Sequence, residues 1–575
     1  MKQLPQPEAL RQSSALGLAD AAVVLGVLAL LALIAHVGSA AMVSFRPPDV
    51  SPTISLDPHN LPEYALRSTT RMFIALGASM LFTLIYGSMA AHNRRAERVL
   101  VPLLDILQSV PVLGFLSITV TGFIALFPGS LLGLEAASIF AIFTSQVWNM
   151  TFSFYQSLRT VPKELSEAAA LYRLSRWHRF TRLEAPSAAI PLLWNAMMSF
   201  GGGWFFVAAS EAISVLNKDY TLPGIGSYVA AAVSAQDLSA LAWAIVTMVV
   251  IIVLVDQLFW RPLVAWSDKF RLEQSSSGDA PQSWVYDLLN SSRIPALASV
   301  LLDPAWAGLD RLMSVLLGRV GDGAPSSESP TADRLYNLSL WLVVGGLVAA
   351  VIHFVVVTVG LGEVATAFRL GIDTLLRVTL LLVVATVIWT PIGVAIGFNP
   401  RLAGRLQPVV QFLASFPANF IFPFATVLFI RAHISLDWGS IVLMALGAQW
   451  YILFNAIAGA QTIPSDLREM ADDVGLRGVE RWRKLIIPGI FSAWVTGGVT
   501  ASGGAWNASI VSEVVSWGGT TLSANGLGAY IAQATSAGDW PRITLGIGMM
   551  SLFVVGINRL LWRRLYGLAE RKYQF

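Results

Sequence analysis

The feature that most constrains this chain is a polar segment that occurs twice at one spacing. Pro464 lies 464 − 162 = 302 positions after Pro162, and Pro488 lies 488 − 186 = 302 positions after Pro186. The same spacing pairs identical residues in the two halves: Glu167 with Glu469, Ala169 with Ala471, Arg179 with Arg481, Trp204 with Trp506, Glu211 with Glu513, Gly226 with Gly528 and Tyr228 with Tyr530. The chain is therefore a tandem duplication, and its function needs two equivalent halves.

Composition indicates an integral membrane protein. Hydrophobic residues make up 55% of the sequence and charged residues only 13%, whereas soluble domains are about 25% charged. The mean hydropathy is +0.63. A net charge of +3 gives no reason to expect nucleic acid as a partner, and the absence of cysteine from the sequence excludes disulfides, thiolate metal ligands and a thiol nucleophile.

Apolar stretches of about 20 residues, enough to cross a bilayer as a helix, recur six times in each half. We predict spans near 21–43, 68–91, 99–126, 134–157, 188–213 and 238–260, and near 338–361, 374–397, 406–431, 438–461, 490–515 and 541–562. The fold class is thus an all-α polytopic membrane protein with about 12 transmembrane helices. An even number of spans per half gives both halves the same orientation, which is a parallel repeat.

The distribution of Lys and Arg predicts the orientation. Basic residues concentrate in one set of loops, around 94–98, 159–182, 401–405 and 468–484, while the opposite loops offer mainly Arg46, Lys218 and Arg431. The basic loops are expected on the cytoplasmic side, together with the N- and C-termini. The small residues Gly38 to Ala41 resemble a signal-peptide cleavage site, but the apolar run before them is too long for such a peptide.

We predict three regions along the chain: a first transmembrane domain over 1–263, a linker over 264–335 and a second transmembrane domain over 336–575. The linker is polar at both ends, with Ser-rich stretches near 274–279 and 323–328. Two apolar patches between 294 and 320 indicate amphipathic helices that lie on the inner leaflet. A separate regulatory domain would need a larger apolar core than this stretch provides.

The first polar segment (residues 162–186) and the second polar segment (residues 464–488) both have the sequence of a helix start. Each opens with proline, continues with acidic residues that favour the positive end of the helix dipole, and then reaches small or apolar residues. One interpretation is a rigid helix–turn–helix that docks a partner, and the other is a solvated loop. Their matched length favours docking.

The two polar segments resemble the Glu-Ala-Ala loop of permeases from binding-protein-dependent ABC transporters. In the first segment Glu167, Ala168 and Ala169 match the motif, and Arg173 stands where the family has glycine. In the second segment Glu469, Ala471 and Gly475 match, and Met470 replaces the first alanine. Each copy departs from the pattern once, so we expect two unequal docking sites.

A second signature is similar to the nitrate/sulfonate/taurine type of these permeases. It comprises Trp204, residues 208–211 and residues 224–226 in the first half, with Trp506, residues 510–513 and residues 526–528 as its repeat. Residues 104–111, which open the third span, also fit and are echoed by Ser415-Phe416-Pro417. The resemblance implies two tandem six-helix type I importer domains fused in one chain of a bacterial or archaeal cytoplasmic membrane.

The resemblance also implies the partners and the energy source. The sequence contains no Gly-Lys dipeptide and hence no phosphate-binding P-loop, so we expect no enzymatic activity and no cofactor in this chain. Two copies of an ABC ATPase would bind ATP beneath the polar segments, and an extracytoplasmic solute-binding protein would deliver the solute. An ion-coupled secondary transporter with two six-helix repeats is the alternative. Such carriers place ionisable residues deep in their spans, and acids or bases in the middle of the predicted spans are nearly absent from this sequence.

Candidate residues of the translocation path or its gate lie near the ends of the fifth and eleventh spans. Glu211 and Glu513 are expected at the outer mouth, either as gate or packing anchors or as caps of backbone amides in the glycine-rich turn that follows. For an anion such as nitrate, a sulfonate or bicarbonate, we expect amide, hydroxyl and helix-end donors. The remaining candidates are Trp204, Ser210, Asn195, Trp506, Ser512 and Asn507, together with Asn149 and Asn455. The alternative for each polar side chain is a hydrogen bond between helices, and the alternative for each tryptophan is an interfacial anchor.

Overall fold

The computed structural model describes residues 18–26, 28, 53–109, 112–128, 130–215, 218–270, 283–316 and 330–572. Most of the first predicted span (21–43), and Val110 and Pro111 within the third predicted span, lie outside these residues. Residues 18–26 are helical, and the carboxylate of Asp20 accepts hydrogen bonds from Ser292 Oγ (2.9 Å) and from the amide of Arg293 (2.6 Å). This contact ties the start of the chain to the linker.

The first half is almost entirely helical. Its elements are α1 (Leu61–His92), α2 (Arg94–Ser109), a 3-10 turn (Val112–Phe115), α3 (Leu116–Leu126), α4 (Leu132–Arg159), α5 (Lys163–Leu171), α6 (Arg176–Arg179), a π-helical turn (Phe180–Glu184), α7 (Ala185–Glu211), β1 (Ala212–Val215), β2 (Lys218–Thr221), α8 (Ile225–Ser234), α9 (Leu238–Val255), a π-helical turn (Asp256–Trp260) and α10 (Arg261–Ser267). Helices α1, α4 and α7 form its packed centre.

Two linker helices and the second half follow. They are α11 (Trp284–Ser291), α12 (Ile294–Leu316), α13 (Pro330–Thr358), α14 (Leu361–Gly397), α15 (Pro400–Ser415), a 3-10 turn (Ala418–Phe420), α16 (Phe422–Arg431), α17 (Leu436–Gln461), α18 (Ser465–Asp473), α19 (Gly478–Arg481), a π-helical turn (Trp482–Ile486), α20 (Ile487–Ser512), β3 (Val514–Trp517), β4 (Thr520–Ser523), α21 (Leu527–Ala537), α22 (Trp540–Ile557), a π-helical turn (Asn558–Trp562) and α23 (Arg563–Lys572). Helices α14, α17 and α20 repeat the arrangement of α1, α4 and α7.

The helix boundaries repeat because the caps repeat. The side chain of Asn93 accepts hydrogen bonds from the amides of Arg95 (3.0 Å) and Ala96 (3.1 Å) at the start of α2, and Asn399 caps α15 in the same way at 3.2 Å. Asp237 and Asp539 cap α9 and α22. An Asn or Asp cap satisfies amides that have no partner within the helix, so the positions of these residues set where the helices begin.

The all-α prediction is confirmed, with two small additions. Strands β1 and β2, and β3 and β4, form two antiparallel hairpins that follow α7 and α20 and that the sequence did not predict. Eight helices among the described residues are long and apolar enough to cross a membrane, and they correspond to eight of the predicted spans. The predicted spans at 99–126 and 406–431 are each broken into two helices near Pro111 and Pro417.

Each half contacts the other through equivalent elements. The 3-10 turn after α2 contacts α20 and α22 of the second half, while α15 and the turn after it contact α7 and α9 of the first half. Leu113 and Leu116 accordingly belong to the core of the second half, and Phe420 belongs to the core of the first. These reciprocal contacts join the hydrophobic cores of the two halves across their interface.

Candidate functional site

The two polar segments have the same backbone geometry, although their sequences differ where the family has glycine. In the first segment the amide of Leu174 donates to the carbonyl of Ala169 (3.1 Å) and Arg173 lies in the left-handed region with φ +49°. In the second the amide of Leu476 donates to Ala471 (2.8 Å), and Gly475 has φ +75°. This hydrogen bond closes a Schellman-type helix end, so Arg173 adopts the conformation that normally requires glycine.

The exposed surface of each segment combines acidic and apolar side chains. Glu167 and Glu469 are exposed and form no ion pair with any described residue. Ala169 and Ala471 are buried against the bundle, and Ala168 is half-buried. Large apolar side chains project beside the acids: Leu171, Tyr172, Met470 and Val474 are 84%, 81%, 58% and 71% exposed. Exposed apolar groups of this kind mark interaction surfaces.

At the other end of α7, Glu211 lies in a fully buried ion cluster. The first cluster comprises Ser68, Arg71, Glu135 and Glu211. Arg71 donates to Glu135 at 2.5 and 2.7 Å and to Glu211 at 2.6 Å. Glu211 also accepts from Ser68 Oγ (2.6 Å) and from the amide of Gly226 (2.7 Å). Glu211 therefore acts as a packing anchor, because it binds α1 directly and α4 through Arg71, and it also caps a backbone amide of the turn. These are parts of the two alternatives that the sequence left open.

The second half repeats this arrangement in a second cluster of Thr374, Arg377, Asp437 and Glu513. Arg377 donates to Glu513 at 2.9 Å and to Asp437 at 2.7 Å. Glu513 also accepts from Thr374 Oγ1 (2.8 Å) and from the amide of Ala529 (3.1 Å). Each cluster joins three helices and the turn after the hairpin, and the charges are satisfied by ion pairs and hydrogen bonds within the protein.

The glycines of the turn make room for the carboxylates. A Cβ at Gly224 would overlap the carboxyl group of Glu211, and one at Gly526 would overlap that of Glu513. Gly224 has an extended backbone with φ 178°, so the requirement is space rather than backbone freedom. The family-like Gly-x-Gly turn is thus shaped around the buried acid.

The other predicted path residues are spread over two environments. Ser210 is buried and bonds Ser138 Oγ at 2.7 Å, and Asn195 donates to Ser153 Oγ at 3.0 Å within the first half. Asn507 reaches across the interface, where its side chain accepts from the amide of Val112 at 3.0 Å. Trp506 stacks on Phe553, and its indole nitrogen, like the hydroxyl of Ser512, is buried without a hydrogen-bond partner among the described residues.

Glycines of α7 and α20 meet around one side chain of α17 at the interface between the halves. A Cβ at Gly202 would lie 3.4 Å from Tyr451 Oη, and a Cβ at Gly504 would lie 3.5 Å from the same ring. The equivalent of Tyr451 in the first half, 302 positions earlier, is Asn149, whose side chain accepts from Gln108 at 3.0 Å. A small cavity of about 30 Å³ adjoins Tyr451 and is lined also by Met198, Ser415 and other residues of α7, α15 and α17.

A larger cavity of about 640 Å³ opens between α7, α9–α10 and α15. Trp204 is the only predicted site residue on its wall. Its polar lining includes Asp256 and Arg261, which form an ion pair at 3.0 Å, and most of the rest is aromatic or aliphatic. Apolar surface therefore dominates this cavity.

Sequence reasoning missed Arg71, Arg377 and their partners Glu135 and Asp437. A signal was present, because Arg377 follows Arg71 by 306 positions, the spacing that also relates Pro417 to Pro111. Each arginine lies near the end of an apolar stretch and resembles an ordinary flanking charge there. Tyr451 was missed because its counterpart is a different residue.

Comparison with known proteins agrees with this geometry. The nitrate import permease protein NrtB of Leptolyngbya laminosa is 25% identical over 32% of this chain and 63% of its own length. The bicarbonate transport system permease protein CmpB of Synechococcus elongatus is 28% identical over 25% of this chain and 50% of its own length. The taurine transport system permease protein TauC of Escherichia coli is 23% identical over 35% and 70%. The chain thus spans about half to two-thirds of the length of the first two relatives.

The model of one protein family matches the chain twice, over residues 83–259 and 388–573, which is more than half of the sequence. Both matches contain a polar segment and the buried acid at the end of the following helix. The chain therefore belongs to the binding-protein-dependent transport system inner membrane components, as a tandem permease with two copies of the family domain in one polypeptide.

Proposed function

We propose that the chain is the complete transmembrane part of an ATP-driven importer for a small oxyanion or organic acid, such as nitrate, bicarbonate or a sulfonate. The observation that carries the proposal is that both family domains present the same polar segment with the same helix end. The relatives described above are named as permeases for nitrate, bicarbonate and taurine, and all three solutes are anions or carry an anionic group.

The two polar segments are the docking sites for two copies of an ABC ATPase. Exposed Glu167 and Glu469 stand beside exposed apolar side chains on short helices that end in the same hydrogen-bonded turn, a combination that suits a specific protein interface. In this proposal the segments lie in the cytoplasm of a bacterium or archaeon, and the concentration of basic residues around them supports the cytoplasmic side. The two ion clusters then lie near the outer surface, where a solute-binding protein would deliver the solute.

The solute passes between the halves, along the faces of α7 and α20. Tyr451 lies there between Gly202 and Gly504, and Ser415 lines the small cavity beside it, so both residues offer hydroxyl groups. Neutral donors can bind a weakly basic anion without holding it too tightly for release. In this proposal Glu211 and Glu513 do not bind the solute, because their carboxylates are paired with arginines in the ion clusters.

Reconstitution in vesicles tests the proposal. The chain is combined with the ATPase and the solute-binding protein encoded beside it, and uptake of nitrate, bicarbonate, taurine and an alkanesulfonate is measured with and without ATP. We expect ATP-dependent uptake of at least one of these, and the double variant Glu167→Lys with Glu469→Lys should abolish it while the chain remains folded. Uptake by the chain alone under an ion gradient would instead support the secondary transporter.

A further inference from the structure

The linker helix α12 has one apolar side that no described residue covers. Leu297, Leu301 and Leu312 lie on this side and are 52%, 72% and 54% exposed. Their spacing of four and eleven residues places them along one stripe of the helix. Helix α12 is therefore amphipathic, and its apolar stripe is free to contact something outside the protein fold.

The opposite side of α12 is fixed to the first polar segment. Asp310 follows Leu301 by nine residues, which is two and a half helical turns and hence the far side of the helix. Its carboxylate accepts from Trp177 Nε1 at 2.8 Å and lies 3.2 Å from His178 Nε2. Both partners belong to α6, the second short helix of that segment. The apolar stripe consequently points away from the polar segment.

The second polar segment lacks this attachment. At the spacing of 302, Trp177 and His178 correspond to Val479 and Glu480, and neither side chain could make the same contact with a carboxylate. Val479 is 81% exposed. The linker therefore contacts the two segments unequally, because only the first offers an indole and an imidazole to an acid.

We propose that α12 lies in the plane of the inner-leaflet lipid surface with its apolar stripe in the acyl boundary, and that Asp310 fastens the first polar segment to it. The occupant of the stripe is lipid, because the polar side faces a segment outside the bilayer and the two ends of the linker lead into membrane spans. An amphipathic helix with these features binds an interface, and a carboxylate with an indole N–H donor makes a strong hydrogen bond. Asp310 is a positioning residue. The assignment of this lipid surface to the inner leaflet rests on the proposed function.

Spin labelling tests the lipid contact, and a chain without cysteine allows it directly. Single variants Leu301→Cys, Leu312→Cys and, on the polar side, Ala307→Cys carry a nitroxide in lipid nanodiscs. We expect labels at 301 and 312 to collide preferentially with oxygen and the label at 307 with a water-soluble nickel complex. Equal access of the nickel complex to all three would overturn the lipid contact, whether or not the chain proves to be an importer.

The attachment is tested in the same preparation with Asp310→Ala and the matched control Asp303→Ala, which removes an exposed acid from the same helix. A nitroxide at Leu171→Cys reports the first segment, and one at the equivalent Asp473→Cys reports the second. Asp310→Ala removes two charge-assisted hydrogen bonds, which should raise the population in which the first segment is detached from α12 about tenfold or more. We expect a mobile spectral component from the label at 171 in Asp310→Ala, and no such component from the label at 473 or in Asp303→Ala. An unchanged spectrum at 171, or the same change at 473, would refute the attachment.

Discussion

Replacing Arg71 with methionine should strongly destabilise the first half. The side chain is 3% exposed and donates three hydrogen bonds to carboxylates, at 2.5, 2.7 and 2.6 Å, and one to the carbonyl of Pro223 at 3.0 Å. Methionine fills a similar volume but leaves Glu135 and Glu211 buried without a cation. Removing one partner of a buried ion pair costs about 3–5 kcal/mol, and we expect the free energy of unfolding to fall by that amount.

One turn earlier on the same helix, Arg67 provides the control. It pairs with Glu63 at 2.7 Å, but the Glu63 side chain is 44% exposed, and such i,i+4 pairs contribute only about 0.3–0.5 kcal/mol. Unfolding by SDS in mixed micelles, followed by circular dichroism, gives both free energies under one condition. The variant Arg71→Lys keeps the charge but not the planar fork, so its loss should be intermediate.

If Arg71→Met and Arg67→Met unfold at the same SDS fraction, the buried ion pairs of Arg71 do not stabilise the first half as expected. The two carboxylates would then be stabilised by something other than the arginine. A parallel measurement on Arg377→Met, which breaks the second cluster, should give a smaller loss, because Arg377 donates one hydrogen bond to the Asp437 carboxylate and that side chain is 39% exposed. A loss as large as that from Arg71→Met would mean that the exposure of Asp437 does not weaken the second cluster.

Further predictions concern the polar segments, the turn glycines and the interface. Arg173→Gly should relieve the cost of a left-handed residue, about 1–2 kcal/mol, and slow hydrogen exchange of the amide at position 174 severalfold; faster exchange would contradict this. Gly224→Ala should destabilise the first half by about 1–3 kcal/mol through overpacking, whereas Gly503→Ala, with open space around it, should not lower stability. Gly202→Cys should react with a thiol reagent and lose transport once modified, while Gly203→Cys, packed against Met72 and Gln146, should react slowly; equal reactivity would argue against a path between the halves.

The repeat and the apolar periodicity predict much of the fold because they reflect local physics. Spans and helix starts depend on residues close in sequence, so the apolar spans and the polar segments could be recognised without a structure. The ends of α2 at Ser109 and of α15 at Ser415 were hidden inside long apolar stretches, where hydrophobicity outweighs the signal of the prolines that follow in the sequence. The four-residue strands of the hairpins are too short to give a pattern of their own.

The ion clusters show what the sequence could not predict. Glu211 was identified from its repeat, but its partner Arg71 lies 140 positions earlier, and only packing of α1 against α7 brings them together. The spacing between the repeats also changes from 306 to 302 between these two residues. A comparison of the halves at the single spacing of 302 therefore does not align Arg71 with Arg377. Arg173 departs from the glycine pattern in sequence, yet its backbone has the left-handed conformation of Gly475 within the same hydrogen-bonded turn.

The position of Tyr451 has a consequence for why two permease domains share one chain. In a dimer of identical subunits, any side chain beside the twofold axis occurs twice, and two tyrosines at this place would compete for the same space between the glycines of α7 and α20. Fusion removes that restriction, since one domain can carry the bulky Tyr451 while the other carries Asn149. The tandem chain can thus build an asymmetric centre that no homodimer with this packing could contain.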